Sequence, residues 1–135
     1  MLKQYIDQLI PSLGLLNPVQ PDESGSYSIK FEPNLEISLR ENANSGITLL
    51  AKIAPLPQKE TEEFLQRLME ANLLGKETGR GVLGLDKDGK EITFTLFLPP
   101  TLSYKEFHDH LEDFTNYAEV WRDETLRFNQ EKDTR

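Results

Sequence analysis

Residues Phe64–Leu98, FLQRLMEANLLGKETGRGVLGLDKDGKEITFTLFL, decide how this 135-residue chain folds. Phe64, Leu65, Leu68, Met69, Ala71 and Leu73 recur at helical spacing, which predicts an amphipathic helix beginning near Pro57 to Thr61. Glu60, Glu62 and Glu63 place acids in its first turn, favourable against the helix dipole, and Gly75 is a natural C-terminal stop. A glycine-rich connector leads to a short apolar segment, Val82–Leu85, then to Asp86-Lys87-Asp88-Gly89, then to Ile92–Leu98. Asp-Gly between two apolar, alternating segments predicts a β-hairpin. In its second strand Ile92, Phe94, Leu96 and Leu98 share one face, and Thr93, Thr95 and Phe97 share the other.

Two features of this stretch imitate ligand motifs. Gly79, Gly81 and Gly84 have the Gly-x-Gly-x-x-Gly spacing of a dinucleotide loop. That loop must follow a strand and open a helix, so that the helix N-terminus faces the pyrophosphate; here the order is reversed. The glycines therefore read as turn-shaping. Asp86-Lys87-Asp88-Gly89 resembles the start of a calcium loop, but the twelfth position, which needs a bidentate Glu, is Phe97. It reads as a turn.

Toward the C-terminus, Ser103 and Glu106 form a Ser-x-x-Glu capping box after Pro99-Pro100. Phe107, Leu111, Phe114, Ala118 and Trp121 continue as one helical stripe, which weakens after Leu126 and Phe128. Residues 129–135 read as a polar, frayed tail beyond a single domain spanning 1–128. Toward the N-terminus, Leu2, Tyr5, Ile6, Leu9, Ile10 and Leu13 mark a first helix that Pro11 should end or bend near Ile10. Asn17–Ser26 reads as a loop. Tyr27, Ile29 and Phe31, then Leu35, Ile37 and Leu39, alternate with polar residues about a reversal at Glu32-Pro33-Asn34, which predicts a hairpin. Ile47–Ile53 is more continuously apolar and suits a strand covered on both sides. The order is α-β-β-β-α-β-β-α, an α+β domain with three helices and a twisted, antiparallel five-stranded sheet.

The formal net charge is −8, and residues 103–135 alone carry 9 acids against 5 bases. Phosphate binding needs clustered Lys and Arg, so a nucleic-acid partner is excluded. There is no cysteine, hence no disulfide framework, thiolate metal site or thiol nucleophile. No apolar run approaches a membrane span, and the N-terminal segment lacks the apolar core of a signal peptide; a cytoplasmic protein without membrane insertion is expected. His108 and His110 lie two apart, pointing in divergent directions on a helix, with no third histidine to complete a metal site. No carboxylate pair stands out as acid and base in an apolar pocket. These residues predict no catalytic site, no metal and no cofactor. They leave a protein-binding module, with an acid-using small enzyme as the remote alternative.

The ordered elements resemble the class I type III secretion chaperones of the Tir-chaperone type, over about residues 1 to 125. The resemblance rests on the first helix ending in Leu13-Gly14-Leu15, the hairpin Ser28-Ile29-Lys30-Phe31 and Leu35-Glu36-Ile37, and more specifically on Leu68-Met69-Glu70-Ala71-Asn72-Leu73-Leu74-Gly75 with Thr78-Gly79-x-Gly81-Val82-Leu83-Gly84-Leu85-Asp86. Pro11 and the acidic tail past Trp121 depart from it. It implies an acidic bacterial cytosolic homodimer that binds the extended N-terminal segment of one or more secreted effectors and keeps it secretion-competent. It assigns the dimer interface to Phe64, Leu65, Leu68, Leu73 and Phe97. The effector grooves fall to Tyr5, Ile6, Leu9, Ile29, Ile37, Leu39 and Leu49, where periodicity marks core and groove alike. The competing expectation is an α+β adaptor that binds a folded partner and has no role in secretion.

Overall fold

The computed structural model describes residues 1–15, 19–31, 35–75 and 77–133. Strand β1 (Tyr27–Phe31) pairs antiparallel with β2 (Leu35–Glu41), setting Ile29 opposite Ile37 and Tyr27 opposite Leu39. Their connection, Glu32-Pro33-Asn34, lies outside the described residues, as does the start of the loop expected from Asn17. A tight turn closed by Asn44 Oδ1, which accepts the Gly46 N–H at 2.9 Å, carries β2 into β3 (Ile47–Pro55). The chain then makes helix α2 (Thr61–Leu74) and strand β4 (Val82–Leu85) before β5 (Glu91–Leu98) returns to pair with β3. The sheet order is β1-β2-β3-β5-β4, every neighbouring pair antiparallel, with β1 and β4 at the edges.

This register puts Ile29, Ile37, Ala51 and Phe94 in line across the sheet, and Leu39, Leu49 and Leu96 beside them. Helices α1 (Leu2–Ser12) and α3 (Tyr104–Asp133) contribute Leu2, Ile6, Leu9, Phe107, Leu111, Phe114 and Trp121 to the same buried cluster. Phe94 and Phe114 stack with centroids 4.8 Å apart, locking α3 onto the sheet. Helix α2 begins and ends where the sequence places it, at Thr61 and before Gly75, and the Ser103–Glu106 capping box is formed in both directions at 3.1 Å.

Two expectations are corrected. Of the two outcomes expected at Pro11, an end or a bend near Ile10, the end does not occur: helix α1 runs through Pro11 to Ser12. The ring removes one donor in a turn that is already closing, and the Leu13, Gly14 and Leu15 N–H groups bond back to carbonyls of Leu9, Ile10 and Pro11. Strand β3 is covered on one face only: Thr48 and Leu50 are half-buried and Lys52 is exposed. Its continuous apolar look comes from Leu50, an apolar residue on the outer face between the inward Leu49 and Ala51, while a bulge between Lys52 and Ala54 adds Ala54 to the buried side after Ile53. Helix α3 itself extends as far as Asp133. Thr125 is buried there with its hydroxyl donating to the Trp121 carbonyl at 2.7 Å, and Phe128 packs on Phe64 with centroids 4.8 Å apart. Thr134 and Arg135 lie outside the described residues.

Candidate functional site

The glycine-rich connector is a packing device. Gly75 ends α2 in the left-handed conformation at φ 70°. A Cβ on Gly79 would sit 2.4 Å from Tyr117 Cε2, and one on Gly81 would sit 2.6 Å from the Phe94 ring, so both glycines let the chain lie flat on aromatic rings. The Asp86 turn is equally occupied. Its Oδ1 accepts the N–H groups of Lys90 and Glu91 at 2.9 and 3.2 Å, and the first of these does most to hold the carboxylate below its usual pKa.

Other shifted carboxylates move the same way. Asp22 is held low chiefly by the Ser24 hydroxyl, Glu41 by the Leu2 N–H, Glu106 by the Ser103 N–H and Glu77 by the Arg67 guanidinium. A catalytic acid needs the reverse shift. Among the described residues no group of three His, Cys, Asp or Glu side chains could hold a metal ion, and no helix is long and apolar enough to cross a membrane.

What the fold offers instead is surface. Met69 and Leu73, one turn apart on α2, are 72 and 77 % exposed; Val82 on β4 is 52 % exposed and Phe97 on β5 is 67 % exposed. Val82 stands opposite Thr95 in the β4–β5 ladder, and Phe97 lies two residues further along, on the sheet face turned away from α1 and α3. Four large side chains on consecutive elements are thus left in water, where each costs solvation free energy until something covers it. Helix α2 is held to this region by Asn72, whose amide pairs with the Leu83 backbone, and by Arg67. The Arg67 guanidinium forks onto both Glu77 oxygens at 2.8 and 3.0 Å, reaches Glu124 at 3.2 Å and lies 5.0 Å over the Trp121 ring.

A second surface lies beside edge strand β1. A cleft of about 750 Å³ opens between the end of α1, β1 and α3. Leu13, Leu15, Phe31 and Leu35 give it apolar walls, while Lys30, Arg122, Glu119 and Asp123 ring it with charges of both signs. A smaller apolar recess shares Leu13 and Phe31 and extends it toward Leu9 and Leu111.

The structure redistributes the residues singled out in the sequence. Ile6, Leu9, Ile29, Ile37, Leu39 and Leu49 are enclosed in the core, because the single covered sheet face uses all of them; of these Leu9 also borders the smaller recess. Tyr5 is half-buried and spends its hydroxyl on the Leu102 carbonyl at 2.6 Å. Of the interface set, Phe64 and Leu68 are core, Leu65 is half-buried, and Leu73 and Phe97 project outward. Met69, Val82 and the cleft residues Leu13, Leu15 and Phe31 were missed as surface. Strand alternation marks Val82 as opposite to Leu83, and the four-residue step from Met69 to Leu73 puts both on one face of α2.

These surfaces belong to a known architecture. A chain from Chlamydia pneumoniae is 30 % identical over 122 residues, covering 90 % of this chain and 93 % of that one. The HopA1–SchA chaperone–effector complex contains a chain that superposes with a TM-score of 0.73 at 19 % identity, covering 90 % of this chain and 93 % of that chain. The Yersinia pestis type III secretion chaperone SycH, in complex with a fragment of YscM2, gives 0.67 at 16 % identity, covering 89 and 98 %. At these identities the two structures share the fold. The profile of the Tir chaperone protein (CesT) family matches residues 4–122, from the first turn of α1 to the residue after Trp121, and the chain belongs to that family.

Proposed function

We propose that this chain is a cytosolic, homodimeric chaperone that binds the N-terminal segment of one or more type III secreted effectors and holds it extended for export. The observation that carries this reading is the cleft beside β1. An edge strand offers unpaired backbone groups to an incoming segment, and the adjoining walls of Leu13, Leu15 and Phe31 accept its apolar side chains. Such a site suits an extended chain rather than a folded surface. Family membership supports the same class of partner. The exposed set Met69, Leu73, Val82 and Phe97 is the proposed contact between two copies.

The test is co-expression with the host's secreted proteins, followed by limited proteolysis of whatever co-purifies and mass spectrometry of the protected piece. A protected N-terminal segment that binds again as an isolated synthetic peptide supports the reading. Binding that needs a folded partner domain, and is lost when that domain is unfolded, replaces the chaperone with the adaptor.

A further inference from the structure

A second cleft, of about 470 Å³, lies away from β1, between α3 and the connector that follows α2. Its floor is the half-buried Leu96 and its side wall is the ring of Tyr117, with Gly79 lying against that ring. Three features stand out in the connector that lines it. The Thr78 hydroxyl is closed off from solvent and has no hydrogen-bond partner, a state rare in folded proteins. Arg80 has φ 72°, a left-handed conformation that costs any residue with a Cβ. Among the described residues the exposed Arg80 guanidinium takes part in no hydrogen bond or ion pair.

The backbone at Arg80 has a clear cause, since its N–H closes a turn onto the Gly75 carbonyl at 3.1 Å. The choice of side chain does not. Flanked by Gly79 and Gly81, position 80 would accept glycine more cheaply, yet it carries an unpaired cation at the mouth of a cleft. A strained residue carrying a charged side chain beside a cleft is the kind of position at which binding sites occur. The lining also holds Asp113, which repels a second acid, and His110, so the cation available to an anionic group there is Arg80.

From this we infer that the cleft takes an acidic side chain of a bound polypeptide segment, with a neighbouring apolar side chain seated on Leu96 and Tyr117. The site rests on its own geometry; only the identity of the occupant, an effector segment, rests on the chaperone reading. It adds a chemical requirement to that reading: an apolar residue next to Asp or Glu in the captured stretch.

The test is a titration of the ¹⁵N-labelled full chain, followed by NMR, with acetyl-Leu-Glu-amide, acetyl-Leu-Gln-amide and acetate. The glutamate dipeptide should shift the Gly79, Arg80 and Gly81 amides saturably, and the glutamine dipeptide should bind about tenfold more weakly, as loss of a charged hydrogen bond implies. Arg80→Gly should unfold at the same or a higher denaturant midpoint and lose the response; Arg80→Gln, which keeps the backbone cost, should lose it too. The inference is overturned by equal response to both dipeptides, by no saturation, or by a response that survives in either variant. Acetate binding as tightly as the glutamate dipeptide would reduce the site to one for free anions. A fall in oligomer mass in Arg80→Gly would make the cleft a contact between copies instead. Effector capture is measured separately on the unaltered chain, so its failure would remove the occupant while the dipeptide titration still judges the cleft.

Discussion

The side-chain amide of Asn72 on α2 pairs with both backbone groups of Leu83 on β4: its Nδ2 donates to the Leu83 carbonyl at 2.8 Å and its Oδ1 accepts the Leu83 N–H at 2.9 Å. One residue thus imitates a neighbouring strand on the outer edge of the sheet, and binds helix to strand while doing so. Open edges recruit other chains, so this pairing also guards β4. Asn72→Ala should lower stability by about 1–3 kcal/mol, since it strands a donor and an acceptor. Asn72→Asp separates the two bonds. It keeps the acceptor but sets a carboxylate against the Leu83 carbonyl, and should destabilise at least as much as alanine. Denaturant midpoints rank the three proteins; an unchanged midpoint in Asn72→Asp would mean the pairing contributes nothing.

Arg67 fastens the same helix electrostatically. Its hydrogen bond to Glu77 is the first cause holding that carboxylate below the usual 4.5 and the arginine further above its own range. Because the folded-state pKa of Glu77 is depressed, the pair's contribution is present above pH 4.5 and is lost as pH falls through the folded value. Arg67→Met removes it along with the stacking on Trp121, the latter worth about 0.5–1 kcal/mol. Urea midpoints of the two proteins should differ near neutrality and draw closer below pH 4.5. A pH-independent gap would assign the whole effect to Trp121.

The helix–connector–hairpin unit was legible because its determinants are local. Gly75 takes the left-handed stop, the Asp86 side chain ties its own turn, and Phe97 alternates away from Phe94, Leu96 and Leu98. What covers a face is not local. Ile37 and Leu49 alternate as any half-buried strand does, and only the position of α1 and α3 over them makes them core rather than groove. The same holds at the C-terminus. Composition marks residues 129–133 as polar, but Phe128 and Thr125 find α2 and α3 partners that carry the helix on. Strand β3 looked doubly covered because Leu50 places an apolar side chain on its outer face, where it is only half-buried.

The glycine-rich connector makes a sharp packing prediction. Gly79→Ala must place a methyl 2.4 Å from Tyr117 Cε2 while holding φ at 56°, so something has to move. Overpacking of this kind costs about 1–3 kcal/mol, and the left-handed backbone adds about 1 kcal/mol more. In a Tyr117→Ala background the clash is gone and only the backbone part should remain. A thermal-unfolding double-mutant cycle reads the difference as coupling. Equal costs in both backgrounds would show that Tyr117 yields freely.

Phe97 and Leu73 test the proposed contact between two copies. Both lie on exposed surface, at 67 and 77 %, so an acid at either position should leave the fold of the single chain intact. If two copies meet there, Phe97→Asp buries an unpaired charge at the contact, which costs about 3–5 kcal/mol and should yield a soluble monomer. Leu73→Asp should act in the same direction, whereas Val120→Asp, 56 % exposed and on α3, should leave the mass unchanged. Light scattering over a range of protein concentrations separates these outcomes, with circular dichroism confirming that each variant is folded. A dimer that persists in both Phe97→Asp and Leu73→Asp moves the interface off this patch. A variant that fails to fold contradicts the outward position of its side chain.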